Sequence, residues 1–402
     1  MFDSVILRRS ETDRPISAGQ IAEALLFYQR IHLFIDYETL TSLIKQIGTK
    51  HVLSLLNRAE VTAVYCEEML ATHTTLVGVT PCHDYGIITM VGHQDDGTFR
   101  SPLERLRYRL ERQGIIDKAE AVRFSKAFLK LAPVRKFSGR HFHTNSITDA
   151  ARNDLLDEEY VKQAIRAAVA VTPGGYIIGE DFEFEIIKTE VGIFVFTNIN
   201  FESINYRRSQ TVPPLEPLTL ARLLGNILNA RADLTLASHY GGDFITSDIT
   251  SSIIQIKYAE LLRRTKLNLD SRQEFKQITL PDSPCLAEVI DTEERSFDEF
   301  LILLDHHHAL KFKYWVNGIN PDEGLIRSYM TECSSIDWLQ KLRGKIIRYS
   351  FTTGMGLWDP SAGVVSGLVN DFIIDKLFTG WRPNHFVEHR LSQFVKGYCD
   401  KT

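Results

Sequence analysis

Apolar residues in the first part of the chain switch repeatedly between two spacings. Ser17 stands where it can cap a helix running through Tyr28, and "RIHLFID" then compresses into a short β-rich run. Asp36 occupies the cap position of a following helix, "YETLTSLIKQIG", which Gly48 stops before a further helix. "VTAVYC" returns to strand character, and the alternation predicts an α/β unit. "YGIITMVGH" reads as one more strand and "QDDGT" as a turn cluster.

"SPLERLRYRLERQG" carries the clearest helix punctuation. Ser101 is the cap, Pro102 takes the first helical position, Glu104 closes a capping box and Gly114 is the stop. Leu103, Leu106 and Leu110 form an apolar stripe, while Arg105, Arg109 and Arg112 fall on another face. The next helix repeats the theme with Arg123, Lys126 and Lys130.

Beyond "TNSITDAARNDLLDEEY", a candidate boundary, "DFEFEIIKTEVGIFVFTNINF" alternates apolar and polar residues around a turn at Glu190 to Gly192, the pattern of an antiparallel hairpin. "SQTVPPLEPLT" leads into mostly helical sequence. A helix is expected from about Leu218, a second from about Asp248 to Arg264, and further starts at the Ser296 to Glu299 capping box and at Asn320-Pro321. The expected class is therefore α+β: a mixed α/β part over residues 1–145, with basic helices at 101–130, and a helix-dominated part over 146–402. The second part carries a hairpin near 177–201 and a helical region over 296–396.

Composition is that of an ordinary folded protein, 44% hydrophobic and 24% charged over 402 residues, so disorder is not the default. The five cysteines are odd in number, scattered and without a C-x-x-C pair, which argues against a disulfide framework or thiolate zinc site and for a reducing, cytoplasmic setting. "MFDSVILRRSETDRP" places its arginines after the short apolar run, the reverse of a secretory signal. The longest uncharged run, Met69 to His83, is shorter than the roughly twenty residues a spanning helix needs. No constitutive membrane span is expected.

Net charge is −5, but its distribution is uneven. Residues 100–140 hold about twelve Lys and Arg against four acids, whereas 149–190 holds about ten acids against four bases. Arg105, Arg107, Arg109, Arg112, Arg123, Lys126 and Lys130 are therefore the candidate contacts to a nucleic acid or other polyanion, with a plain solvated face as the alternative.

Three constellations suggest chemistry. "LFIDYETLTSLI", an aspartate between an apolar strand and a helix, resembles the opening motif of PIN-like metal-dependent nucleases. That resemblance implies a divalent metal held by Asp36, with "GGDFITSDITS" contributing Asp243 and Asp248. "HFVEH" matches the H-x-x-E-H signature of inverzincin proteases, but no glutamate follows to complete that family's ligand set. Asp371 and Asp375 on one helix, and His385 and His389 on the next, each four residues apart, make an independent candidate metal set.

The helix expected from Asp359-Pro360 to Gly380 is apolar almost all round, with Gly363 and Gly367 allowing close approach, so it suits core packing or self-association better than lipid. The expectation for function is an interaction or effector protein that meets an anionic partner through its basic helices and oligomerises or packs through the glycine-bearing helix. A metal-dependent nuclease or phosphodiesterase and a conditionally membrane-active effector are the alternatives.

Overall fold

The strand-helix alternation is realised as a parallel sheet. A computed structural model describes residues 2–9, 15–89, 101–137, 147–172, 176, 178–179, 181–190, 192–211, 215–245, 248–280, 284–319, 325, 328–329 and 381–396. The elements are β1 (Ser4–Arg8), α1 (Ala18–Phe27), β2 (Arg30–Ile35), α2 (Tyr37–Leu56), β3 (Val61–Cys66), β4 (Glu68–Val77), β5 (Thr80–Thr89), α3 (Pro102–Arg112), α4 (Lys118–Leu131), β6 (Val134–Arg135), α5 (Ile147–Leu156), α6 (Glu158–Ala170), β7 (Phe184–Thr189), β8 (Gly192–Thr197), α7 (Phe201–Ser209), α8 (Leu220–Tyr240), β9 (Asp243–Ile245), α9 (Asp248–Thr279), α10 (Leu286–Asp291), α11 (Phe297–Asp305) and α12 (His307–Gly318). One parallel and one antiparallel sheet among many helices make a mixed α+β fold.

The chain divides into two units, one formed by Asp3–Ile21 with Arg30–Lys266, the other by Phe2, Ala22–Gln29 and the described residues from Leu267 onward. This division differs from the expected 1–145 and 146–402, because strand pairing crosses residue 145 in both sheets of the first unit. β9 pairs with β1, and β8 pairs with β5.

The parallel sheet of the first unit has the order β6-β3-β2-β1-β9. Its strands are nearly continuous apolar runs because both faces are covered. Ile6, Phe34 and Val64 join a core with α5, α6 and α8, including Ile147, Ile165 and Leu224, while Tyr65 turns the other way and meets Phe128 of α4 with ring centroids 5.5 Å apart. Asp36 caps α2 as expected, accepting from Thr39 N–H at 2.7 Å. Gly48, at φ 75°, breaks the helical geometry within α2, where the sequence placed a stop.

The uncharged run from Met69 to His83 is neither helix nor loop. It forms the greater part of a long hairpin, β4 with β5, turning at Gly78 (φ 66°). The second sheet, β4-β5-β8-β7, adds the expected 184–197 hairpin to it. The turn into β8 requires glycine: Gly192 has φ 144°, and a Cβ there would lie 2.8 Å from both Cys82 Sγ and the His83 carbonyl oxygen. Both expected capping boxes, Ser101/Glu104 and Ser296/Glu299, are formed.

The second unit is helical and packed on aromatic rings. Phe275 meets Phe27, Phe312 and Tyr329 at 5.0–6.1 Å, and Phe312 meets Phe386 at 5.1 Å. Among the described residues no helix is long and apolar enough to cross a membrane. The glycine-bearing helix expected over 359–380 lies outside the described residues, as do Asp371 and Asp375.

Candidate functional site

In an open parallel sheet the carboxyl ends of the strands leave backbone and side chains free of the covering helices, and ligands bind there. In this chain those ends carry Arg8 as the last residue of β1 and Arg9 after it, Asp36 after β2, and Glu67 and Glu68 after β3.

Arg8 is anchored to α8. Its Nε donates to Asp233 Oδ1 at 2.8 Å, Nη1 to Asn229 Oδ1 at 3.1 Å and Nη2 to the Asn229 carbonyl at 3.3 Å. Arg9 spans the start of α2, with Nη1 donating to Asp36 Oδ2 at 3.0 Å and pairing with Glu38. Glu67 is turned away from these and holds Arg105 of α3 through two hydrogen bonds in a buried pair. Between Arg8, Arg9, Asp36 and Glu68 opens a small cleft with a cavity volume of about 40 Å³, continuous with solvent and lined also by Phe34, Cys66, Met69 and Phe137. The Cys66 thiol donates to the Glu68 carbonyl at 3.3 Å, and burial pushes its pKa up to about 12, so it stays protonated near neutral pH.

One lining group is incomplete. Asn229 is 1% exposed; its Oδ1 is used by Arg8, but its Nδ2 has no hydrogen-bond partner and belongs to a residue that lines the cleft. A buried amide donor left unsatisfied costs about 1–3 kcal/mol, and Asn226, one turn earlier on the same helix, is left in the same state. No family model, curated protein or solved structure matches the chain. The site is therefore read from its own geometry.

The expected nuclease aspartates are not brought together. Register levels Phe34 with Arg8 and Asp243 with Val5, so Asp36 and Asp243 sit at opposite edges of the sheet, about 16 Å apart along the strands at roughly 3.3 Å per residue. Both carboxylate oxygens of Asp36 are engaged, one by the α2 backbone and one by Arg9. Asp248 opens α9.

His385 and His389 lie in the other unit, on the segment Asn384–Phe386 that continues through a π-helical Val387–Leu391, with rings 6.5 Å apart. The His385 ring lies 6.3 Å from that of His308, which is tilted against the His307 ring at 4.0 Å. Among the described residues no group of three His, Cys, Asp or Glu side chains is placed to hold a metal ion.

The seven basic candidates divide. Arg105 is buried against Glu67, and Arg109 lies over the Tyr37 ring at 3.5 Å, an inward cation–π contact. Arg112 donates to Tyr108 Oη at 2.8 Å yet remains exposed, as do Arg107, Arg123, Lys126 and Lys130.

The Asn229 site went unread in the sequence, though a signal was present. α8 is a largely buried helix whose polar residues Asn226, Asn229 and Asp233 recur at positions i, i+3 and i+7, on one face of the helix. That face, together with two arginines directly after the first strand, is the pattern that marks the site.

Proposed function

We propose that this chain binds a small planar polar ligand of the nucleobase or nucleoside class in the cleft at the carboxyl edge of the parallel sheet. The observation that carries this reading is the buried, unpartnered Asn229 amide at the cleft. An amide N–H offers a donor to a ring nitrogen or carbonyl, and Phe34, Met69 and Phe137 offer apolar surface to a ring. The residues after β1, "RRSETDRP", contain no glycine, so the backbone cradle of a dinucleotide pyrophosphate is missing and a nucleoside fits better.

Calorimetric titration with adenosine, guanosine, cytidine and uridine tests this. Asn229→Asp keeps an oxygen for Arg8 and replaces the free donor by an acceptor, so it should weaken the bound nucleoside by about tenfold or more, the value of one buried hydrogen bond. If all four nucleosides fail to bind the wild-type chain at millimolar concentration, the reading is overturned.

A second reading rests on the five exposed basic residues of α3 and α4, Arg107, Arg112, Arg123, Lys126 and Lys130, which support binding to a polyanion. Reversing Arg123, Lys126 and Lys130 to Glu should lower the salt at which the chain leaves heparin. It should also flatten the dependence of log K on log salt by about 0.7–0.9 for each phosphate that is no longer neutralised. Unchanged elution removes this reading and leaves a solvated face.

A further inference from the structure

We propose that the outer half of β4 is a self-pairing sheet edge, through which two copies of this chain join antiparallel across Thr72–Val77. β4 ends the order β4-β5-β8-β7, so one row of its backbone N–H and C=O groups faces away from the sheet. Near its base the strand is engaged by α8, Thr72 Oγ1 donating to the Ala221 carbonyl. Further out, His73 to Val79 are all exposed, and among the described residues β8 pairs with β5 at Cys82 and His83. The hairpin tip presents Leu76, Val77 and Val79 at 70%, 48% and 93% exposure. Beyond the level of Thr75 and Cys82 the hairpin is a two-stranded ribbon, marginal by itself.

The charge pattern favours a second copy as the occupant. Isologous pairing about a two-fold axis sets each residue of one strand against the same short segment of the other, so an edge charge would meet its own kind. Met69 to His83 contains no charge, and the register of β4 runs from Glu68 to Val77 without a bulge or a proline in the strand. The opposite edge is guarded in the usual way, β7 exposing Glu185 and Lys188. A bilayer does not fit the finger, because hydrocarbon cannot satisfy an open row of backbone groups and no Lys or Arg is present to meet anionic headgroups.

Sedimentation velocity of the full chain, from low micromolar to about 100 µM, should show a monomer–dimer equilibrium. Thr75→Lys and, separately, Leu76→Lys place like charges across the two-fold and should raise the dimer dissociation constant by about tenfold or more. Ile187→Lys on β7 should leave it unchanged. Both sites on the finger are solvent-exposed, so an unchanged thermal midpoint confirms that the variants are folded. A wild-type chain that stays monomeric at the highest concentration overturns the proposal, as does a dimer indifferent to both lysines. Flotation of a monomeric chain with vesicles containing phosphatidylserine would overturn it in favour of lipid.

Discussion

Arg105→Ala is expected to destabilise the fold by about 3–5 kcal/mol, because it strands the Glu67 carboxylate in a buried site after removing both of its guanidinium hydrogen bonds. Glu67 follows the last residue of β3, so the pair ties α3 to the edge of the parallel sheet. Chemical denaturation followed by circular dichroism measures the loss as a lower midpoint. Arg107→Ala, further along the same helix and exposed, should change stability by no more than about 0.5 kcal/mol. The contrast separates two readings of one basic helix. If Arg105 served chiefly to bind an external anion, its removal would spare stability and cost only binding.

Acidification should loosen the 381–396 segment from α12. Trp381 Nε1, which can only donate, donates to His308 Nδ1 at 2.9 Å, so that nitrogen must be unprotonated for the bond to exist. His306 Nδ1 likewise accepts from His308 N–H at 3.2 Å as the cap of α12. Burial, the neighbouring imidazoles of His307, His306 and His385, and the Arg390 guanidinium together hold the His308 pKa down, to about 4 against an ordinary 6.5. The cationic form is thus disfavoured in the fold. Stability from this contact is fully present above about pH 6.5 and is lost as the pH falls from there through about 4. Two further ties of the segment, Phe386 on Phe312 and Arg295 Nε to the Phe394 carbonyl, do not titrate in this window. His308→Asn keeps an acceptor oxygen without a proton to gain. Thermal midpoints measured from pH 7 to 4 should therefore fall less steeply for the variant than for the wild type; parallel curves would place the acid response elsewhere.

Much of the local structure was readable. The caps at Ser17, Asp36, Ser101 and Ser296, the break at Gly48 and the hairpin turn at Glu190 to Gly192 all depend on a few adjacent residues, and each formed where the pattern put it. The strand expected at "YGIITMVGH" is the second half of β5, but β4 and the hairpin were missed, because threonine and valine around a single glycine satisfy several local readings until the partner strands β8 and β7 choose one. Basic residues were visible as a class, but which of them point inward was not. Arg105 and Arg109 differ from Arg107 and Arg112 only in what the helix meets, namely Glu67 and Tyr37, far away in sequence.

The sequence by itself determined the mixed α+β class and the alternation of helix and strand from Ser17 to Cys66, since capping, turn chemistry and hydrophobic period act over a handful of residues. Only the tertiary structure decided the pairing of β9 with β1 and the distance between Asp36 and Asp243. It also gathered Arg8, Asp36, Glu68 and Asn229, from four separate elements, around one cleft. Convergence of this kind is a property of strand register and helix packing, long-range choices that no short window of sequence encodes.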